Sequence, residues 1–139
     1  MKQVFIDTSL LIAAYLVSDP SHQSALRELT VLEATGTQFV TTDAVLTEFC
    51  NSLAKVALRT RAAAAVQALL ARGDVIVVRV SEALWHRAFA LFRSRVDKEW
   101  GLTDCLSFEV MRERRMKVAL TGDHHFAQAG FTTLLQRSR

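Results

Sequence analysis

The sequence is short of several things, and each scarcity excludes a class of protein. Its 139 residues contain one proline, Pro20, and five scattered glycines. No linker, repeat or low-complexity block interrupts it, so flexibly joined modules are excluded and one domain spanning residues 1–139 is expected. It has two cysteines, Cys50 and Cys105, far apart and outside any Cys-x-x-Cys or Cys/His spacing. That argues against a zinc module and a disulfide framework, and predicts two small buried thiols in a reducing compartment. The most apolar stretch, Phe5 to Val17, is broken by Asp7, Thr8 and Ser9. Neither a secretory core nor a membrane span would carry a carboxylate there, so a cytoplasmic protein with no membrane partner is expected. Excess charge of either sign is also small. There are 17 Lys and Arg against 14 Asp and Glu, a net charge of +3. This permits a polyanionic partner without demanding one.

What is present is an alternation of short β-branched runs with helical stretches. Val4-Phe5-Ile6 reads as a first strand, followed by an apolar helix from Ser9 to Leu16. Ser18-Asp19-Pro20 predicts the start of a second helix that stops near Gly36. Phe39-Val40-Thr41 reads as a second strand, and Thr42 or Asp43 caps a helix striped by Val45, Leu46, Phe49 and Leu53. A further helix ends at Gly73. Val75 to Val80 is a continuous β-branched run, the pattern of a strand buried on both faces. Ser81 caps a helix whose Trp85, Phe89 and Phe92 predict a core stripe. Thr103 is expected to cap another, containing Leu106, Val110 and Met111. Val118-Ala119-Leu120 gives a fourth strand, and Thr132 to Leu135 a weak fifth. Strands separated by helices imply a three-layer α/β/α domain around a parallel sheet of four to five strands. Such sheets bind ligands beyond the carboxyl ends of their strands.

Four acids are placed to use that edge. Asp7 directly follows the first strand, and Asp123 follows the fourth after Thr121-Gly122. Asp104 lies in the first turn of a helix, above Ser107, Phe108 and Met111 on one face. Glu48 stands beside the apolar stripe of its helix, where a carboxylate is unusual unless paired. Each has an ordinary alternative. Asp7 can cap a helix, Asp104 can favour a helix dipole, Asp123 can form a turn, and Glu48 can pair with a basic neighbour. Together they are harder to explain so. Clustered carboxylates repel one another, and a divalent cation relieves that repulsion. Oxygen ligands without clustered cysteine call for a hard ion, Mg²⁺ or Mn²⁺. Such an ion beside phosphate oxygens points to phosphodiester hydrolysis. Asp7 and Asp104 are the expected primary ligands. Asp123 and Glu48 are expected to complete a second metal position or orient water, with Ser9 and Thr121 steadying the carboxylates.

These residues resemble a known pattern. Phe5-Ile6-Asp7-Thr8-Ser9 resembles the first motif of the PIN domain, and Thr42-Asp43-Ala44-Val45-Leu46-Thr47-Glu48 resembles its second. Leu102-Thr103-Asp104-Cys105-Leu106-Ser107-Phe108 resembles the third, and Leu120-Thr121-Gly122-Asp123-His124-His125-Phe126 the fourth. Order and span agree across essentially the whole chain, and within the family the pattern resembles the VapC-like toxins. The resemblance implies a Mg²⁺-dependent endoribonuclease, usually a homodimer, held inactive by a cognate antitoxin and acting on tRNA, rRNA or mRNA. It assigns the acidic positions to Asp7, Glu48, Asp104 and Asp123. Some members carry a further acid near the last motif; this chain has His124 and His125 there, which leaves a full second metal site open. Two other readings remain: a structure-specific DNA nuclease, and an inert module that binds RNA or protein.

The remaining candidates are weaker. His124 and His125 have two readings, as helpers in the site or substrate contacts and, by default, as exposed loop histidines; His22 reads as a surface residue. Arg112, Arg114, Arg115 and Lys117 either complement a helix end or bind RNA phosphate, as do Arg59, Arg61, Arg137 and Arg139. Trp100, beside the third motif, is expected to pack over a helix start rather than stack on a base.

Overall fold

A computed structural model describes residues 2–135. The elements run β1 Gln3–Ile6, α1 Thr8–Tyr15, α2 His22–Ala34, β2 Gln38–Thr42, α3 Asp43–Ser52, α4 Val56–Ala71, β3 Val75–Val78, α5 Glu82–Ser94, α6 Leu102–Glu113, β4 Val118–Leu120, α7 His124–Gln128 and β5 Thr132–Thr133. All strand pairs are parallel, and the sheet order is β3-β2-β1-β4-β5. The helices flank this sheet as a three-layer α/β/α domain. No helix among the described residues is long and apolar enough to cross a membrane.

The sheet order decides where a site can form. From β1 the chain moves outward one way to β2 and β3, then returns and moves the other way through β4 to β5. The order reverses between β1 and β4, and a crevice opens there beyond the strand ends. Asp7 and Thr121 are the residues that follow those two strands. The strand pairing runs right up to the site, since the Asp7 N–H donates to Leu120 O at 3.2 Å. Below the crevice an aromatic cluster fills the core. Phe126 packs against Phe5, and Phe108 packs edge-on against Trp100 and Phe126.

Several expectations about the elements are met, and several are corrected. Thr42 and Ser81 cap α3 and α5 by accepting from Val45 N and Leu84 N, each at 3.1 Å. Trp100 is 4% exposed and donates to Gln128 Oε1 at 3.0 Å, so it is a packing residue. Cys105 is buried, whereas Cys50 is only half-buried. The second helix begins at His22, because Ser18-Asp19-Pro20 forms a turn whose Asp19 carboxylate accepts from Ser21 N at 2.8 Å. α6 begins at Leu102, so Thr103 lies inside its first turn and Gly101 takes the N-cap position. β3, expected to run from Val75 to Val80 and to be buried on both faces, spans Val75–Val78, is half-buried at all four positions and lies at the edge of the sheet. Its apolar run reports helix cover on its faces, not its lateral place in the sheet. On α5, Trp85, Phe89 and Phe92 are 39%, 39% and 46% exposed. They stack on one another along the outer face of the helix instead of entering the core.

Three helices enter the strands that follow them through one turn geometry. After α2, Thr37 N donates to Leu32 O and Gly36 N to Glu33 O, with Gly36 at φ +71°. After α7 the same pair of bonds runs from Phe131 N to Phe126 O and from Gly130 N to Ala127 O, with Gly130 at φ +98°. After α6 it runs from Met116 N to Met111 O and from Arg115 N to Arg112 O. This is the Schellman motif, whose left-handed residue is usually glycine. The third copy has Arg115 at φ +56°, a conformation that costs a residue with a Cβ roughly 1–2 kcal/mol. Arg115→Gly is therefore expected to stabilise the fold by about 0.5–1 kcal/mol after the added freedom of the unfolded chain is counted. Thermal unfolding should show a rise of a few degrees; a drop would mean that the Arg115 side chain does more than tolerate the turn.

Candidate active site

The site is built from the amino-terminal ends of three helices. Asp7 is the N-cap residue of α1, Asp104 lies in the first turn of α6, and Asp123 is the N-cap residue of α7. Helix amino termini present unpaired N–H groups and partial positive charge, so carboxylates are favoured at each. Asp104 Oδ2 accepts from Gly101 N at 3.0 Å, and Asp123 Oδ1 accepts from His125 N at 2.9 Å. The ordinary roles foreseen for these two acids are thus real. Asp7 differs, because its side chain makes no cap to α1.

Asp7 is instead held from the side by hydroxyls. Its Oδ2 accepts from Thr121 Oγ1 at 2.8 Å and from Ser9 Oγ at 3.3 Å. Ser9 and Thr121 lie 3.0 Å apart, and they also accept from Gly122 N and Asp123 N, both at 3.0 Å. The two hydroxyls therefore tie the end of β1 to the turn after β4 and fix Asp7 against Asp123. The carboxyl group is 4% exposed. Burial pushes its pKa up to about 7; the Thr121 hydrogen bond opposes that shift, and the charges of Asp104 and Asp123 add to it. Asp104 is also raised, first by burial and then by Asp123, against the lowering effect of Gly101 N. The structure thus brings three of the four expected acids into one electrostatic cluster.

Glu48 stands outside that cluster. It is exposed, and it lines an adjoining groove with Asp43, Thr47, Asn51, Trp85 and Thr103. Among the described residues no ion pair or side-chain hydrogen bond engages its carboxylate. The expectation that it sits at the margin of a buried face is corrected: Phe49 turns inward and Glu48 outward on α3. Through Thr103 the groove reaches the residue beside Asp104.

One site residue was underrated in the sequence. His125 is half-buried, not a solvent bystander, and its Nδ1 lies 3.0 Å from Asp104 Oδ2 and 3.2 Å from Asp123 Oδ1. The signal was its place two residues after a helix-capping aspartate, where a side chain can fold back on the cap. His124 is exposed, as expected. The basic run is placed elsewhere. Arg112 lies in the last turn of α6 and Arg114, Arg115 and Lys117 follow its end, about 12 Å or more along the helix from Asp104, and Arg112 faces Glu109 at 3.8 Å. Arg59 and Arg61 are exposed on α4. Arg137 and Arg139 lie outside the described residues. Cys105 follows Asp104, but burial and that carboxylate push its thiol up to about 11, so it is no nucleophile at neutral pH.

The chain matches the PIN domain over residues 4–132. It belongs to the PIN domain family. Among solved structures, this PIN domain is similar to VapC20 of Mycobacterium tuberculosis, a toxin that cleaves the sarcin–ricin loop, at 28% identity and a TM-score of 0.82 over 93% of this chain and 96% of that one. It shares its fold with VapBC2 of Rickettsia felis bound to a promoter DNA fragment, at 14% identity and TM-score 0.70, covering 94% of this chain and 96% of that one. It shares it also with FitAcB of Neisseria gonorrhoeae, at 12% identity and TM-score 0.62 over 94% and 96% of the two chains. No curated protein matches the sequence.

The Asp7 shift makes stability depend on pH. The folded state holds the Asp7 proton more tightly than the unfolded chain, whose carboxyl titrates near 3.8. Its contribution is therefore full below pH 4 and is lost as pH rises through 7, a difference of roughly 4 kcal/mol. In chelator-treated protein, Asp7→Asn should flatten this dependence and be more stable than wild type at pH 8. Urea titrations at pH 5 and pH 8 measure it; equal slopes in both proteins would contradict the assignment.

Proposed function

We propose that this PIN domain is a metal-dependent endoribonuclease and serves as the toxin of a toxin–antitoxin pair. The observation that carries the reading is the cluster itself. Asp7, Asp104 and Asp123 meet at the reversal point of the sheet, and no lysine or arginine among the described residues pairs with them. Neutral hydroxyls and the imidazoles of His125 and, at 3.8 Å, His124 are their side-chain partners. That arrangement orients negative charge without neutralising it, which is what a divalent cation site requires. Thr8 Oγ1 is buried beside Asp7 without a partner, and the water shell of a bound ion would satisfy such a group. The carboxylate donors fit a hard divalent ion, Mg²⁺ or Mn²⁺, held by Asp7 and Asp104.

When bound, the ion polarises the scissile phosphate and lowers the pKa of the attacking water. The residues supply the rest. Ser9 and Thr121 keep the Asp7 carboxylate in one orientation. Asp123 aligns beside it from the α7 cap, completing a second position or orienting the water. Glu48, without a side-chain partner among the described residues, reaches from the neighbouring groove. Similarity to VapC20 across nearly the full length favours RNA, and ribosomal stem-loop RNA in particular, as substrate. VapBC2 and FitAcB support a cognate antitoxin as partner. We also infer a homodimer in the cytoplasm, and the exposed Trp85-Phe89-Phe92 face is the surface such an interface would cover.

Asp7→Asn and Asp104→Asn should each reduce cleavage of a sarcin–ricin stem-loop oligonucleotide more than about 100-fold while remaining folded. Thr121→Val should cost about 10–100-fold in metal affinity, because it acts through Asp7. Full cleavage by both aspartate variants would sink the reading; preference for branched DNA over RNA would redirect it to a DNA nuclease. In cells, mapping new RNA 5′ ends after induction identifies the cut. For the assembly, Phe89→Asp should shift the mass measured by light scattering from dimer to monomer, and an unchanged dimer would move the interface elsewhere.

A further inference from the structure

Two carboxylate oxygens, one from each of two helix starts, converge on His125 Nδ1. Asp123 Oδ1 accepts from the His125 N–H at 2.9 Å, and Asp104 Oδ2 from Gly101 N at 3.0 Å. Both oxygens nevertheless face the same ring nitrogen, at 3.2 and 3.0 Å. Adjacent ligands of an octahedral ion with bonds near 2.1 Å stand about 3 Å apart. The observed spacings match such edges. One donor atom from each of Asp123, His124 and His125 also lies within 4.8 Å of the others. His125 is half-buried and His124 lies against its ring at 4.5 Å between centroids.

We propose that His125 Nδ1 is a direct ligand of the divalent ion, so that the centre is a mixed carboxylate–imidazole site that ranks Mn²⁺ above Mg²⁺. The proposal rests on the reading of this cluster as a metal centre and adds a nitrogen ligand to it. Mg²⁺ favours an all-oxygen shell, whereas first-row transition ions accept imidazole together with carboxylate. A nitrogen ligand therefore changes the ranking of ions, not merely the strength of binding. Its bond needs the ring proton on Nε2, with the Nδ1 lone pair turned toward the two carboxylates. His124 is exposed and its Nδ1 is 3.8 Å from Asp123 Oδ1, so it is the natural comparison residue.

The test is pulsed electron paramagnetic resonance on Mn²⁺-loaded full-length protein, paired with calorimetric titration of Mn²⁺ and of Mg²⁺. Wild type and His124→Ala should show nitrogen hyperfine coupling to the ion. His125→Gln, which keeps a polar side chain of similar reach, should lose the coupling, and its preference for Mn²⁺ over Mg²⁺ should fall about tenfold or more while its unfolding temperature stays within a few degrees. Mn²⁺ binding in wild type without nitrogen coupling would overturn the His125 ligand and leave the metal-dependent nuclease intact. Coupling that survives in His125→Gln would overturn it equally. Failure of wild type to bind either ion at millimolar concentration would remove this proposal and the proposed nuclease together.

Discussion

The site depends on one constraint: a carboxylate is buried at the end of the central strand beside two others. Asp7 alone would be an expensive residue at 4% exposure. Next to Asp104 and Asp123 it is more so, and its pKa near 7 records that cost. A fold can tolerate such a group by giving it a salt bridge, by keeping it protonated, or by leaving room for a cation. No lysine or arginine among the described residues takes the first course. Near neutral pH the proton is only partly held. The geometry around the cluster is therefore what supports the proposed cation as the third course.

The rest of the molecule is arranged so that this unfavourable group stays where it is. β1 lies in the interior of the sheet, paired on both sides, and Thr41 Oγ1 ties its last carbonyl, Ile6 O, to β2 at 2.8 Å. The Phe5, Phe108, Phe126 and Trp100 rings fill the space beneath α6 and α7, so the two helix starts that carry Asp104 and Asp123 cannot drift independently. The Schellman turns lie at the opposite edge of the sheet, where helices lead into strands. Regular chain geometry is concentrated at that edge, and electrostatic strain at the other, as expected of a scaffold that supports a functional centre.

Much of this was legible in the sequence, for reasons that differ by feature. Alternating runs disclosed the α/β layering, because strand and helix periods are local properties. Asp7 and Asp123 were legible because a strand end is also local, and the sheet rule turns strand ends into a site. The lateral order of strands is not local, which is why the apolar run of β3 suggested full burial on both faces, whereas an edge strand is only half-buried. The stripe on α5 failed for a related reason. Helical spacing shows that Trp85, Phe89 and Phe92 share a face, but not whether that face looks at the core or away from it. Glu48 was placed on the correct helix but on the wrong side of its buried boundary. His125 was missed because its partners, Asp104 and Asp123, come from different elements, one of them 21 residues away.

The choice of hydroxyls to hold Asp7 follows from the same constraint. A lysine in place of Thr121 would satisfy the carboxylate more strongly and would lower its pKa. It would also cancel the negative charge on which the proposed cation site rests. Thr121 and Ser9 donate without adding charge, so the carboxylate is oriented while its negative charge remains available. Their oxygens also accept from Gly122 N and Asp123 N, so the same two groups set the turn that carries the third acid. A single small hydroxyl bridge thus couples the backbone of β1 to the loop after β4. It leaves the site under-neutralised by an amount that a divalent ion can correct.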